Sequence, residues 1–228
     1  MQAQGRIKKI LAYRRIHVPD FELIPRGRKK ITARGLKFPL LAKPLKEEAS
    51  LGIAQASLVQ NIEQLTERVR FIHEKFDNDV IAEEYIDGRE LYVSLLGTTR
   101  LQMFPIRELV FGDVPPDKPK IATYKAKWDD EYRHRWGLEN KFPTDLDPLI
   151  VRKIEHTCKR IYRLLMIDGY ARLDLRLAPS GEIYFLEANP NPMLAADEDF
   201  AQSAAKADIS FPQLIQRIIR LGLSTNRE

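Results

Sequence analysis

Tyr170-Ala-Arg-Leu-Asp-Leu-Arg-Leu177, then Ala178-Pro-Ser-Gly-Glu182, then Ile183-Tyr-Phe-Leu-Glu-Ala-Asn-Pro-Asn-Pro192 is the stretch that decides how this chain is read. Apolar and polar residues alternate on both arms, and Ser180-Gly181 supplies turn chemistry, so the spacing predicts a hairpin of two strands. A turn of two residues and a turn of four give the same register, in which position i lies opposite 361 − i. Asp174 then faces Glu187, and Arg172 faces Asn189. The two-residue period of a strand puts all four side chains on one face. Carboxylates placed directly opposite each other repel and cost stability. A divalent cation between them removes that cost. Two carboxylates and an amide are hard oxygen donors of the kind Mg²⁺ accepts, and Mg²⁺ keeps its other positions for water and phosphate. The alternative is a solvent-facing hairpin whose charges tolerate each other.

The 228 residues are 44% apolar, enough for one large domain or two small lobes. The single cysteine, Cys158, excludes an intramolecular disulfide and a cysteine zinc site. It falls on an apolar helical stripe with Val151, Ile154, Ile161 and Leu165, which predicts a buried structural thiol. No apolar run approaches the roughly 20 residues of a membrane span, and the N-terminus has no signal-peptide core, so a cytoplasmic protein is expected. The four histidines, His17, His73, His134 and His156, show no triad or metal spacing. Residues 1–43 hold twelve Lys and Arg against two acids, about +10 within a chain whose net charge is +5. The densest part, Arg26-Gly-Arg-Lys-Lys-Ile-Thr-Ala-Arg34, lacks interleaved aromatics and any nucleic-acid module, so a solvated loop between two strands is expected, and nucleic acid is not the expected partner.

A short basic helix is expected over residues 6–15, with strands at Phe21–Ile24 and Pro39–Lys43. Asn61 is placed to cap a helix to Phe76 with Ile62, Leu65, Val69, Ile72 and Phe76 on one side. Strands follow at Val80–Tyr85, Glu90–Leu96 and Leu101–Leu109, then a proline loop at 114–120. Asp147-Pro148 reads as a helix start, with Asp as the cap, and that helix is expected to reach Met166. Ser210 should cap a last helix ending at Gly222. This order predicts an α+β fold of two lobes. The boundaries are a basic helix and linker over 1–20, a small lobe over 21–86 and a large lobe with the metal site over 87–224.

Five segments in this order resemble the ATP-grasp superfamily, specifically its D-alanine–D-alanine ligase-like carboxylate–amine ligases. They are Phe38-Pro-Leu-Leu-Ala-Lys-Pro44, Glu47-Glu-Ala-Ser-Leu-Gly-Ile53, Ile81-Ala-Glu-Glu-Tyr-Ile-Asp-Gly-Arg-Glu-Leu91, Tyr124-Lys-Ala-Lys-Trp128 and the hairpin. The resemblance covers residues 5 to 222 and implies an ATP-grasp fold with the nucleotide cleft between the lobes. It also implies ATP and Mg²⁺ as cofactors. Lys43 matches a phosphate-binding lysine. Glu83, Glu84, Tyr85 and Ile86 match the segment that lines the adenine pocket, with the backbone of Glu84 and Ile86 reading the base. Glu90 matches an acid that accepts from the ribose hydroxyls. Ser50 lies in the loop that covers the phosphates, where glycines and serines let backbone N–H groups wrap phosphate. Lys127 matches a lysine that reaches the terminal phosphate. Arg172 matches the arginine that stabilises the transferring phosphoryl group, with a structural partnership to Asp174 as its alternative. Asp174, Glu187 and Asn189 match the magnesium ligands.

The implied reaction joins a carboxylate to an amine through an acyl phosphate. Two departures bear on substrate. The loop has Glu48 and Ala49 where the ligases commonly have glycine and serine, and Met193-Leu-Ala-Ala-Asp-Glu-Asp199 replaces a glycine and a serine–leucine pair that hold the acceptor's carboxylate. Acids at 197–199 would suit an amine or guanidinium acceptor, or would simply favour the dipole of a helix over 198–206. The family also places a further domain before these lobes, so a separate N-terminal domain or partner subunit is expected, and a homodimer is admitted. The reading from another class is a nucleotide-binding module that does not turn over and acts with a partner.

Overall fold

Capping and turn residues fix the ends of most elements in the computed structural model, which describes residues 3–47, 50–115 and 118–225. In chain order these are α1 (Ala3–Tyr13), β1 (Phe21–Ile24), β2 (Leu40–Pro44), a 3₁₀ turn (Gln55–Ser57), β3 (Leu58–Val59), α2 (Ile62–Phe76), β4 (Val80–Glu84) and β5 (Arg89–Leu96). Then come β6 (Gln102–Met103), β7 (Arg107–Phe111), α3 (Tyr124–Trp128), α4 (Asp130–Arg135), β8 (Leu138–Lys141) and α5 (Pro148–Leu164). The chain continues through β9 (Tyr170–Leu177), β10 (Ile183–Asn189), α6 (Asp199–Lys206) and α7 (Phe211–Thr225). The Asn61 side chain accepts from the Gln64 N–H at 2.9 Å at the start of α2, and Asp147 accepts from the Leu149 N–H at 2.6 Å ahead of Pro148 in α5. Both satisfy helix N–H groups that have no partner within the helix.

The chain divides into two compact units. The first takes the described residues up to Ile10 with Val18–Asp87 and Phe111–Glu139. Its antiparallel sheet has the order β1-β4-β2-β3. Leu65, Val69 and Ile72 of α2 recur at helical spacing and bury against Ile24, Leu40, Ala42, Val80 and Ala82 of the strands. The basic segment after β1 is a loop, but not a purely solvated one. Ile31 and Ala33 pack on this core, while Arg28 pairs with Glu22 at 2.7 Å and Arg26 with Asp77. Apolar residues within the segment anchor it and leave the charges outward.

The second unit takes Leu11–His17, Gly88–Val110 and the described residues from Asn140 onward. Its sheet runs β10-β9-β5-β7-β8, with β6 also paired to β5. Ile154, Cys158 and Ile161 of α5 are fully buried, and burial pushes the Cys158 thiol well above the usual range, so it is an inert core group. The single strand expected over Leu101–Leu109 is broken into β6 and β7. Phe104 turns into the core against Phe200, ring centroids 5.7 Å apart, and Pro105 has no N–H to offer a ladder. α7 does not stop at Gly222 but runs to Thr225, because Ile218 and Leu221 pack on the core and carry the helix past the glycine. Among the described residues no helix is long and apolar enough to cross a membrane.

Two glycines give opposite expectations. A Cβ at Gly222 meets nothing within 4 Å. Gly222→Ala should therefore stabilise the protein by about 0.5–1 kcal/mol, the helix-interior difference between the two residues. Gly88 has φ +138°, and a Cβ there would lie 2.2 Å from the Leu177 carbonyl oxygen. Gly88→Ala should cost at least about 1–3 kcal/mol. Urea denaturation of both variants checks the pair; a destabilised Gly222→Ala would show that the helix does end there.

Candidate active site

In the first unit, pairing of Leu41 with Glu83 and of Lys43 with Ile81 makes Lys43 and Glu83 diagonal neighbours on one face. Lys43 Nζ lies 3.1 Å from Glu83 Oε2, and Lys8 Nζ, from α1, lies 3.1 Å from Oε1. Glu83 is only 2% exposed. Burial alone would raise its pKa, but the two ammonium groups outweigh that and hold the carboxyl below its ordinary value. Glu83 thus ties Lys8 of α1 to Lys43 of β2. Lys8 was not singled out from sequence, although it sits three residues before the buried Leu11, on the apolar side of α1.

The loop after β2 is held from behind. Arg68 of α2 donates to the Gly52 carbonyl and, at 2.9 Å, to Ser57 Oγ. Ser50 and Gly52 both have positive φ, 61° and 77°. The Tyr124 N–H donates to the Ile53 carbonyl at 3.0 Å, which ties α3 to this loop. α3 carries the half-buried Lys127 and is capped by Thr123, which accepts from the Ala126 N–H at 3.1 Å. Ser50 and Lys127 thus belong to two directly hydrogen-bonded segments; the substituted positions 48 and 49 lie outside the described residues. After β4, the Glu84 N–H donates to the Asp20 carbonyl and the Tyr85 N–H to the Pro39 carbonyl. Glu84 Oε1 accepts from the Lys37 N–H at 2.6 Å, the Tyr85 hydroxyl donates to the Lys120 carbonyl, and Ile86 is half-buried.

In the second unit the hairpin forms, but its register is not uniform. Asp174 faces Glu187 and Arg172 faces Asn189, as the spacing predicts. Nearer the turn, Leu175 faces Phe185 and Leu177 faces Ile183, one residue out of step. The shift falls between Phe185 and Glu187, a bulge at Leu186. Unbroken alternation would have put Ile183 and Phe185 on the face of Glu187. The bulge returns them to the core, 5% and 1% exposed, and leaves Glu187 beside Asp174.

Asp174 is buried and fully engaged. Arg172 donates from Nε to Oδ1 at 2.8 Å and from Nη2 to Oδ2 at 3.0 Å, and Asn189 Nδ2 donates to Oδ2 at 3.2 Å. Burial opposes the Arg172 charge, but Asp174, and beyond it Tyr92 and Asp199, hold the guanidinium protonated, above its ordinary range. Its carbon lies 4.7 Å from the centroid of the Tyr92 ring. Glu90 is also buried: Arg176 Nη2 donates to Oε2 at 2.7 Å and the Tyr92 hydroxyl to Oε1 at 3.0 Å. The residue set fits a hard divalent cation. Two opposed carboxylates and an amide share one face, and the donors now on Asp174 are a guanidinium and an amide N–H, which answer the same negative charge. Among the described residues no three His, Cys, Asp or Glu come together as a set that could hold a metal ion.

The acids expected near an acceptor do not act together. Asp197 is exposed and Glu198 occupies the cap position of α6 without a side-chain bond. Asp199, in the first turn of that helix, is 7% exposed and accepts from Arg107 Nε at 3.1 Å and Asn140 Nδ2 at 2.7 Å. Arg107, Asn140 and Arg176 were not anticipated. The alternation Arg172-Leu-Asp174-Leu-Arg176 carries a signal for Arg176, whereas Arg107 and Asn140 reach Asp199 only through the fold.

Glu83 gives a pH prediction. Its folded pKa is depressed below the ordinary 4.5, so its contribution is present above that value and is lost as pH falls through the folded pKa. Glu83→Gln removes the carboxylate shared by buried Lys8 and half-buried Lys43 and should cost about 3–5 kcal/mol at neutral pH. Urea denaturation across pH 3 to 7 should show the gap between wild type and variant narrowing on the acid side. A gap independent of pH would show that Glu83 is not the group that neutralises Lys8 and Lys43.

Known proteins resemble this chain in sequence and in fold. A D-alanine–D-alanine ligase of Syntrophobacter fumaroxidans is 31% identical over 189 residues, 82% of this chain and 56% of that protein. One of Desulfotalea psychrophila is 29% identical over 192 residues, 84% of this chain and 56% of that protein. The chain therefore spans a little over half the length of the curated relatives it matches. The crystal structure of D-alanine–D-alanine ligase from Bacillus anthracis complexed with ATP superposes with a TM-score of 0.76 at 22% identity, over 97% of this chain and 66% of that one. That likeness gives the fold, which is ATP-grasp. The family model described as D-ala D-ala ligase C-terminus matches residues 9–220, and over nearly its whole length the chain belongs to that family.

Proposed function

We propose that this chain carries the ATP- and Mg²⁺-dependent chemistry of a carboxylate–amine ligase. A substrate carboxylate attacks the γ-phosphate of ATP and releases ADP; an amine then attacks the acyl phosphate and releases phosphate. The observation that carries the reading is the opposed pair of buried Asp174 and half-buried Glu187, with Asn189 on the same face and Arg172 forked on Asp174. In this reading Asp174, Glu187 and Asn189 hold Mg²⁺, which offsets the charge of the triphosphate. Arg172 would meet the transferring phosphoryl group, with Asp174 as a ligand of the cation in place of its partner. Lys43 binds phosphate, backed by Glu83, with Lys8 beside it. Glu83 therefore serves by holding these lysines rather than by touching adenine. Ser50 and Lys127 close on the terminal phosphates together, since their segments are hydrogen-bonded to each other. The Glu84 N–H is committed to Asp20, so the base is read by the Glu84 carbonyl and the Ile86 N–H, with Tyr85 fixing the segment. Glu90 already accepts one hydrogen bond on each oxygen, from the Tyr92 hydroxyl and from Arg176, and meets the ribose hydroxyls with its remaining lone pairs. Its first service is to neutralise Arg176.

Isothermal titration with Mg·ATP tests the assignment. Glu187→Gln and Asp174→Asn should each weaken Mg·ATP by at least about tenfold, or about 1.4 kcal/mol. Unchanged Mg·ATP affinity in both variants would remove the hairpin from the nucleotide site.

A further inference from the structure

Arg172 stands between two carboxylates. On one side Asp174 takes its Nε and Nη2 in a two-pronged bond. On the other, Asp199 Oδ2 lies 3.6 Å from Nη1, close enough for an ion pair and too far for a hydrogen bond. Asp199 is itself immobilised, because Asn140 Nδ2 and Arg107 Nε both donate to Oδ1. Those two donors turn Oδ2 toward Arg172.

Asp174 has two demands on it. Its oxygens serve Arg172 in this structure, and on the reading above they serve a divalent cation when nucleotide binds. At that moment the Arg172 guanidinium loses two charge-assisted bonds in a mostly buried place. A buried cation left without a counter-charge is costly and moves toward water or toward whatever anion is near. We infer that Asp199 is a positioning residue for Arg172: it holds the guanidinium over the Tyr92 ring while Asp174 serves the cation, and so delivers Arg172 to the terminal phosphoryl group of the nucleotide. This rests on the Mg²⁺ reading of the hairpin. It also takes Asp199 out of acceptor recognition, because its carboxylate is buried among Arg107, Asn140 and Arg172.

The inference has a sign that simple charge counting lacks. Removing a carboxylate near bound phosphates should tighten an anion by plain Coulomb attraction. Loss of a positioning residue should weaken it, and only for the phosphate that Arg172 meets. The test is isothermal titration of the full chain with Mg²⁺ and a non-hydrolysable ATP analogue, and separately with Mg·ADP. Asp199→Asn should lose about tenfold or more on the triphosphate, the usual scale for removing a group that orients a metal-site residue, and far less on ADP. Asp199→Glu should recover part of the loss. In an Arg172→Lys background, Asp199→Asn should add nothing beyond about threefold, because the two residues act as one unit. Tighter or unchanged binding of the triphosphate analogue by Asp199→Asn, or an equal loss on both nucleotides, overturns the inference. Should Asp199→Asn not unfold cooperatively, Asn140→Ala, which removes one Oδ1 donor, takes its place under the same two criteria. Wild-type protein that binds neither nucleotide would bring down the Mg²⁺ reading itself. Wild-type binding with no selective effect in these variants brings down only the role of Asp199.

Discussion

A single additional residue, Leu186, governs which chemistry the hairpin can present. Strand side chains alternate faces, so Ile183, Phe185 and Glu187 would share one face of an unbroken strand. Such a strand must either bury Glu187 or expose Phe185. The bulge separates them: Ile183 and Phe185 go to the core opposite Leu177 and Leu175, and Glu187 goes to the face of Asp174. A bulge interrupts a ladder and sharpens its local twist, a cost tolerated where a side chain must be re-aimed. The opposed acids and the amide of Asn189 beside Asp174 follow from this one shift, while the arginine fork lies within β9 itself.

Each unit buries charge, and each does so in a compensated way. In the first, Glu83 is shared by Lys8 and Lys43. In the second, Arg172 and Arg176 alternate with Asp174 along β9, and Glu90, Asp174 and Asp199 answer them. Buried ion pairs add little net stability, since desolvation cancels much of the attraction. Apolar residues of similar volume would serve the fold as well. On the proposed reading the buried ion pairs supply charge for a triphosphate with less reorganisation than solvent would need. Arg68 belongs to the same pattern by a different route: it fixes the loop backbone at Gly52, where φ is positive and a Cβ would collide with Pro44.

Much of this was legible in the chain. Asn61, Asp147-Pro148 and Ser180-Gly181 are local signals, and the elements they bound appear where the spacing puts them. Leu65, Val69 and Ile72 identify the buried side of α2 by period alone. The pairing of Asp174 with Glu187 matches the spacing, but the ladder nearer the turn is one residue out of step and the bulge at Leu186 restores it. The failures share a cause. Phe104 breaks a strand because a pocket beside Phe200 receives it, and Gly222 fails to stop α7 because Ile218 and Leu221 still have a core to cover. Local rules set tendencies of about 1 kcal/mol, and tertiary burial of one large apolar side chain outweighs them.

The sequence by itself determined most of the strands, the helix starts and the shared face of Arg172 and Asp174, because these depend on period and on neighbours a few residues away; Glu187 and Asn189 joined that face through the bulge at Leu186. Only the tertiary structure decided what those residues touch. Asp199 is 25 residues from Asp174 in sequence, and Arg107 and Asn140 are farther still, so nothing local marks them as one network. Lys8 reads as an ordinary helix lysine until α1 lies against Glu83. Counter-charges are chosen by distance in space, and distance in space is what a linear pattern does not contain.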